Sequence, residues 1–145
     1  MIAIDTNLLV YAHREELPFH AEAEALLLDL ANGTRRWCIP WPCVHEFIGV
    51  ITNPRIFREP TPLDQALLAV QTLLSCETLL LLPEGDGYFK VLDAIAKSGR
   101  VRGALIHDAR IAALCQFHGV RELWSADRDF SRFAGIKIVN PLIAA

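Results

Sequence analysis

Five carboxylates have the type and placement to act together: Asp5, Glu46, Asp108, Asp127 and Asp129. They are spread along nearly the whole chain, so only a fold can gather them. Packed within a few ångströms, like charges repel and take up protons unless cations hold them. Carboxylate oxygens are hard ligands and suit Mg²⁺ or Mn²⁺. Two such ions about 4 Å apart can bind both sides of a scissile phosphate, lower the pKa of an attacking water and stabilise the leaving oxygen, with no protein nucleophile.

The elements around these residues are those of a layered α/β protein. Ile2 to Asp5 is a short apolar run ending in a carboxylate, and Thr6-Asn7 offers capping side chains before Leu8-Leu9-Val10-Tyr11, so a strand feeds a helix. Ala21 to Leu30 reads as a helix stopped by Asn32-Gly33, and Trp37 to Ile39 as a strand closed by Pro40. Pro42 fits the first turn of a helix carrying Val44, Phe47, Ile48 and Ile51, which ends at Asn53-Pro54. Arg55 to Pro60 reads as loop. Thr61-Pro62-Leu63-Asp64 then opens a helix to about Ser75, with Thr61 as the expected cap. Thr78–Leu82 follows as a buried strand, Tyr88–Lys97 as a helix stopped by Ser98-Gly99, Gly103 or Leu105 to His118 as a further helix, and Glu122–Trp124 and Ile136–Val139 as the last strands. Apolar strands alternating with helices predict a three-layer α/β/α sandwich around a central, mostly parallel sheet, in one domain spanning residues 1–145. Function in such sheets gathers at the carboxyl ends of the strands. That rule favours Asp5, Asp127 and Asp129, each at or just past a strand end.

Taken singly, each acid also has a structural reading. Asp5 can cap the helix that follows it. Glu46 can pair with an arginine at a helix rim. Asp108 stands early in its helix, where the dipole favours an acid, with His107 and Arg110 beside it. Ser125-Ala126-Asp127-Arg128-Asp129 can be a polar turn.

Taken in order, the motifs resemble those of the PIN-domain family, and within it the VapC-like toxins of bacterial toxin-antitoxin pairs. Ile4-Asp5-Thr6-Asn7 is similar to the first acidic motif, Val44-His45-Glu46-Phe47 to the second and Ile106-His107-Asp108-Ala109-Arg110-Ile111-Ala112-Ala113 to the third. Trp124-Ser125-Ala126-Asp127-Arg128-Asp129-Phe130 resembles the fourth, with serine where threonine is commoner. The resemblance runs from Ile2 to about Pro141. It implies a metal-dependent endoribonuclease in which Asp5, Glu46, Asp108 and Asp127 are the catalytic, metal-coordinating acids and Thr6, Ser125 and Asp129 are auxiliary. It also implies Mg²⁺ or Mn²⁺ as cofactor, an RNA substrate, a cognate antitoxin protein that covers the acidic pocket, and a homodimer.

Composition sets the bounds. At 145 residues, 52% hydrophobic and 21% charged, the chain can bury a sizeable core. The net charge of -3 argues against a generally basic nucleic-acid surface. The basic residues are mostly arginines, whose planar fork suits phosphate, and Arg14, Arg55, Arg58 and Arg128 are the candidate substrate contacts. Neither a membrane span nor a secretory leader is expected, so the predicted location is cytoplasmic. Cys38, Cys43, Cys76 and Cys115 lack the spacing of a zinc site or a disulfide framework and are expected to be free thiols. The five histidines form no recognised zinc cluster either. Trp37, Trp41 and Trp124 stand beside strands, where core packing and base stacking are both open to them.

Two rival classes remain. A phosphatase would want a second aspartate where Asn7 stands, and a receiver domain a lysine at a late strand end, a place that Lys90, Lys97 and Lys137 do not occupy. A catalytically silent PIN fold, binding RNA or protein, is the alternative; four retained acids count against it, since a scaffold has no use for a cluster that repels itself.

Overall fold

The computed structural model describes residues 1–143. Its strands are β1 (Ile2–Ile4), β2 (Trp37–Pro40), β3 (Leu79–Leu82), β4 (Glu122–Trp124) and β5 (Lys137–Val139). The helices are α1 (Thr6–His13), α2 (His20–Asn32), α3 (Trp41–Ile51), α4 (Leu63–Leu74), α5 (Tyr88–Ser98) and α6 (Leu105–Phe117). The sheet has the order β3-β2-β1-β4-β5, and every pairing is parallel. The chain steps outward from β1 to β3 and then crosses back to β4. Right-handed crossovers therefore put α1 to α4 on one face and α5 and α6 on the other, giving the three layers. Packing follows this division, with α1 against α2 and α3, α3 against α4, and α5 against α6.

The apolar strands fill the middle layer. Ala3, Ile4, Trp37, Cys38, Ile39 and Leu123 are at most 1% exposed. One continuous core joins them to Leu8, Phe47, Ile111 and Phe130. Strand order reverses between β1 and β4, so the crevice at their carboxyl ends is the switch point at which open α/β sheets bind ligands. Asp5 N–H donates to Trp124 O at 3.0 Å, which stitches the two strand ends together at that point.

Two local expectations are corrected. Thr61 does not cap α4: Pro62 is the residue before that helix and no side chain caps it. Thr61 is instead buried, its hydroxyl within hydrogen-bond distance of His13 Nε2 (3.0 Å) and accepting from an Arg14 Nη (3.1 Å). Asn7 does not cap α1, because Asp5 does so itself, accepting from Thr6 N–H. Cys38, Cys43, Cys76 and Cys115 are all free. Trp37 is core, while Trp41 and Trp124 are half-buried. No described helix is long and apolar enough to cross a membrane.

Candidate active site

Each acid is delivered by a different element. Asp5 leaves β1 and starts α1, Glu46 lies midway along α3, Asp108 is in the first turn of α6, and Asp127 follows β4. All four line one cleft of about 390 Å³, together with Thr6, Asn7, Val10, Tyr11 and the loop residues Ile56 and Phe57. Among the described residues none of these four acids forms an ion pair; the ion pairs present are Arg14–Glu16, His20–Glu24, Lys97–Asp93 and Arg110–Glu84. The pairing of Glu46 or Asp108 with an arginine, open from sequence, is therefore not what the fold uses.

Asp5 is 3% exposed and is fixed by four donors. Thr6 N–H (2.8 Å) and the Cys43 thiol (3.5 Å) donate to Oδ1, and Ser125 Oγ (2.7 Å) and Asn7 Nδ2 (3.2 Å) donate to Oδ2. Ser125 is itself buried and accepts from Asp127 N–H at 2.9 Å, so one hydroxyl orients Asp5 and the loop carrying Asp127. Asn7 was missed as a site residue by sequence reasoning. Besides donating to Asp5 and Ser125, its side-chain oxygen accepts from Ala126 N–H at 3.1 Å, tying the first acidic motif to the fourth. Its position two residues after a strand-end acid was the available signal.

Burial pushes the Asp5 carboxyl up despite the donors from Ser125, Thr6 and Cys43, and Asp127 adds to the rise. Asp108 is raised to about 6, first by burial and then by the charges of Asp127, Asp5, Asp129 and Glu46. Glu46 stands at the exposed rim; the burial of its inner side and then Asp5 raise it, while the Thr6 side chain and His107 act the other way. Oxygens of Asp108, Asp127 and Asp129 lie within 4.8 Å of one another. Asp129 thus stands beside Asp127 and Asp108 rather than in the cleft lined by Asp5 and Glu46, and its N–H donates to Asp127 Oδ1 at 2.9 Å.

The candidate substrate arginines fare differently. Arg14 is committed within the fold, to Glu16, to Thr61 and to Glu59 O at 2.8 Å, with its guanidinium 4.2 Å from the centre of the Phe57 ring. Arg55 and Arg58 are exposed on either side of Ile56-Phe57, and Arg128 is exposed next to Asp127.

The profile of the PIN domain family matches residues 2–136. Ribonuclease VapC43 of Mycobacterium tuberculosis is 37% identical over 142 residues, covering 98% of this chain and 96% of that protein. Ribonuclease VapC48 of the same organism is 31% identical over 137 residues, 94% of each chain. Among solved structures, VapC20 of M. tuberculosis, described as a Sarcin-Ricin loop cleaving toxin, matches with a TM-score of 0.66 at 17% identity over 94% of this chain and 99% of that one. VapBC2 from Rickettsia felis, solved with a fragment of promoter DNA, matches with a TM-score of 0.67 at 15% identity over 96% and 98% of the two chains. The structural likeness is one of fold, whereas the sequence likeness extends over almost the full length at more than 30% identity, so the chain belongs to the PIN domain family, among its VapC-like members.

Proposed function

We propose that this protein is a divalent-metal-dependent endoribonuclease that hydrolyses RNA phosphodiester bonds, the toxin of a VapBC-type toxin-antitoxin pair, with Mg²⁺ or Mn²⁺ held by Asp5, Glu46, Asp108 and Asp127. The observation that carries the reading is the convergence of four acids from four elements on one cleft, without an ion-pair partner among the described residues. The donor set fits a hard cation. It consists of carboxylate oxygens, and the carboxyls of Asp5, Glu46 and Asp108 are raised first by burial and then by neighbouring acids, both of which a bound cation would offset.

Asp5, Glu46, Asp108 and Asp127 would hold the ions, whose contribution would be Lewis-acid polarisation of the scissile phosphate and activation of water. The chain's own part is to hold the acids. Ser125, Asn7 and Thr6 fix both Asp5 oxygens, and the Ser125–Asp127 contact keeps the fourth motif in register with the first. Asp129 is the auxiliary acid beside Asp108 and Asp127. Arg55, Arg58 and Arg128 supply phosphate contacts at the exposed edge. Arg14, whose donors are spent in the fold, acts on the substrate only through the loop it holds. A cognate antitoxin is the partner implied by the VapBC likeness, and a homodimer is the assembly we expect.

The test is cleavage of total cellular RNA by purified, antitoxin-free protein with Mg²⁺, Mn²⁺ or EDTA, beside the Asp5→Asn/Asp108→Asn double variant. Discrete fragments that require both metal and acids are expected. Absence of cleavage by well-folded protein across metals and RNA classes would move the reading to a silent binding module.

A further inference from the structure

A second cavity, about 450 Å³, adjoins the acid cleft and shares two of its walls, Glu46 and Asp108. Its other lining residues are Pro42, His45, His107 and Arg110. The construction is paired. On α3, Trp41 and His45 are one turn apart and their rings stack, 28° between planes and 5.9 Å between centres. On α6, His107 and Arg110 are three residues apart on one side of the helix. On each helix the acid is the residue directly after the histidine, which turns it partly away from the imidazole so that it faces both cavities. His45 and His107 are exposed and hydrogen-bond to nothing among the described residues, while Arg110 is half-exposed, 3.4 Å from Glu84.

We propose that this second cavity is a nucleotide subsite: the base next to the phosphate held at the acids stacks on His45, whose ring is backed by Trp41 outside the cavity lining, and Arg110 and His107 contact the adjoining backbone phosphate. The inference rests on the RNA-cleaving reading of the acid cleft and deepens it. An acid cluster by itself repels a polyanion. Cations held at the acids offset that repulsion at one phosphate, and attractive surface within one nucleotide is needed to hold the strand on either side; this cavity supplies an aromatic face, a guanidinium and an imidazole immediately beyond Glu46 and Asp108. Stacking tolerates any base, and the phosphate contacts carry no sequence information, so the subsite sets register and affinity.

Binding is measured independently of cleavage, by fluorescence anisotropy of a short 2′-O-methyl single-stranded RNA in Mn²⁺, for wild type, His45→Ala, His45→Phe and Arg110→Gln. A second series of the same RNA carries single abasic positions. His45→Ala is expected to weaken binding about ten-fold, with His45→Phe restoring most of it and Arg110→Gln flattening the salt dependence. One abasic position should weaken wild type strongly and His45→Ala hardly at all. With cleavable RNA, His45→Ala should raise KM with kcat within about two-fold. Equal affinity of wild type and His45→Ala, or an abasic penalty of the same size in both, overturns the subsite. Failure of cleavage with the binding pattern intact overturns the nuclease reading and leaves the subsite standing.

Discussion

Asp5 is the side chain on which the site's geometry turns, and its behaviour is set by a contest that burial wins. Four donors surround its two oxygens, yet the carboxyl is raised, because removal from water outweighs the hydrogen bonds and Asp127 adds repulsion. The shortest of those contacts comes from Ser125, which also receives Asp127 N–H. Ser125→Ala removes both at once, leaving an Asp5 oxygen short of its best donor and the Asp127 loop untethered. Groups that orient metal ligands typically contribute about 10- to 100-fold in affinity or activity. Ser125→Ala is therefore expected to weaken Mn²⁺ binding, followed by calorimetric titration, and RNA cleavage by that amount. Ser125→Thr keeps the hydroxyl and should stay within a few-fold of wild type. Equal Mn²⁺ affinity in Ser125→Ala and wild type would show that the remaining donors, Thr6 N–H, Asn7 and Cys43, suffice to position Asp5.

The secondary elements were readable to within a residue or two because their signals are local. Apolar runs of strand length ended at Asp5, Pro40 and Leu82, and helices stopped near Asn32-Gly33 and Ser98-Gly99. The four acids were readable as well, since their order along the chain matches a family pattern. The failures occurred where a short polar side chain had to choose between a local cap and a distant partner. Thr61 has the composition of a cap but is drawn to His13 and Arg14 across a gap of nearly fifty residues. Asn7 reaches Ser125 and Ala126, more than a hundred residues away. Long-range pairing of this kind leaves no periodic trace. The same contacts decide what Arg14 does. Its guanidinium clasps Thr61 and Glu59 O and lies over Phe57, so it holds the loop between α3 and α4, whose Ile56 and Phe57 wall the acid cleft. Arg14→Ala is expected to destabilise the fold by about 1.5–3 kcal/mol, the usual worth of hydrogen bonds to a charged group, here those to Thr61 and Glu59 O, as read by urea denaturation. Unchanged stability with weakened RNA affinity would return Arg14 to the role of a phosphate contact.

Folding gathers the acids, so the whole molecule carries the strain of their repulsion until something neutralises them. Asp108 shows the sign of that effect. Its carboxyl is raised from 3.8 to about 6 in the folded protein, so between those values the native state binds more protons than the unfolded chain. Without metal, stability then falls as pH rises through that window, and the penalty is fully present above it. Solvent on one side of the carboxylate screens the effect, which makes its direction the firm expectation. In EDTA, Asp108→Asn should melt above wild type at pH 7, and the advantage should shrink as pH falls and vanish only well below 3.8, where Asp108 is protonated in both states. Half-buried His13 is shifted by burial, Arg14, Glu16 and His20 and not by Asp108, so it cancels from the difference, whereas the acids coupled to Asp108 relax with its removal and add to the same sign. Divalent metal reverses the dependence, because ligation needs the ionised carboxylates. At about 100 times its dissociation constant, Mn²⁺ should stabilise the native state by about 2.7 kcal/mol, a rise in Tm of roughly 5 to 10 °C for a domain of this size. That rise should shrink as pH drops below about 6 and be largely lost in Asp108→Asn. A metal-free Asp108→Asn protein that melts below wild type at pH 7, or a Mn²⁺ shift that survives the substitution, would mean that the acids are held apart by the fold and not by the ion.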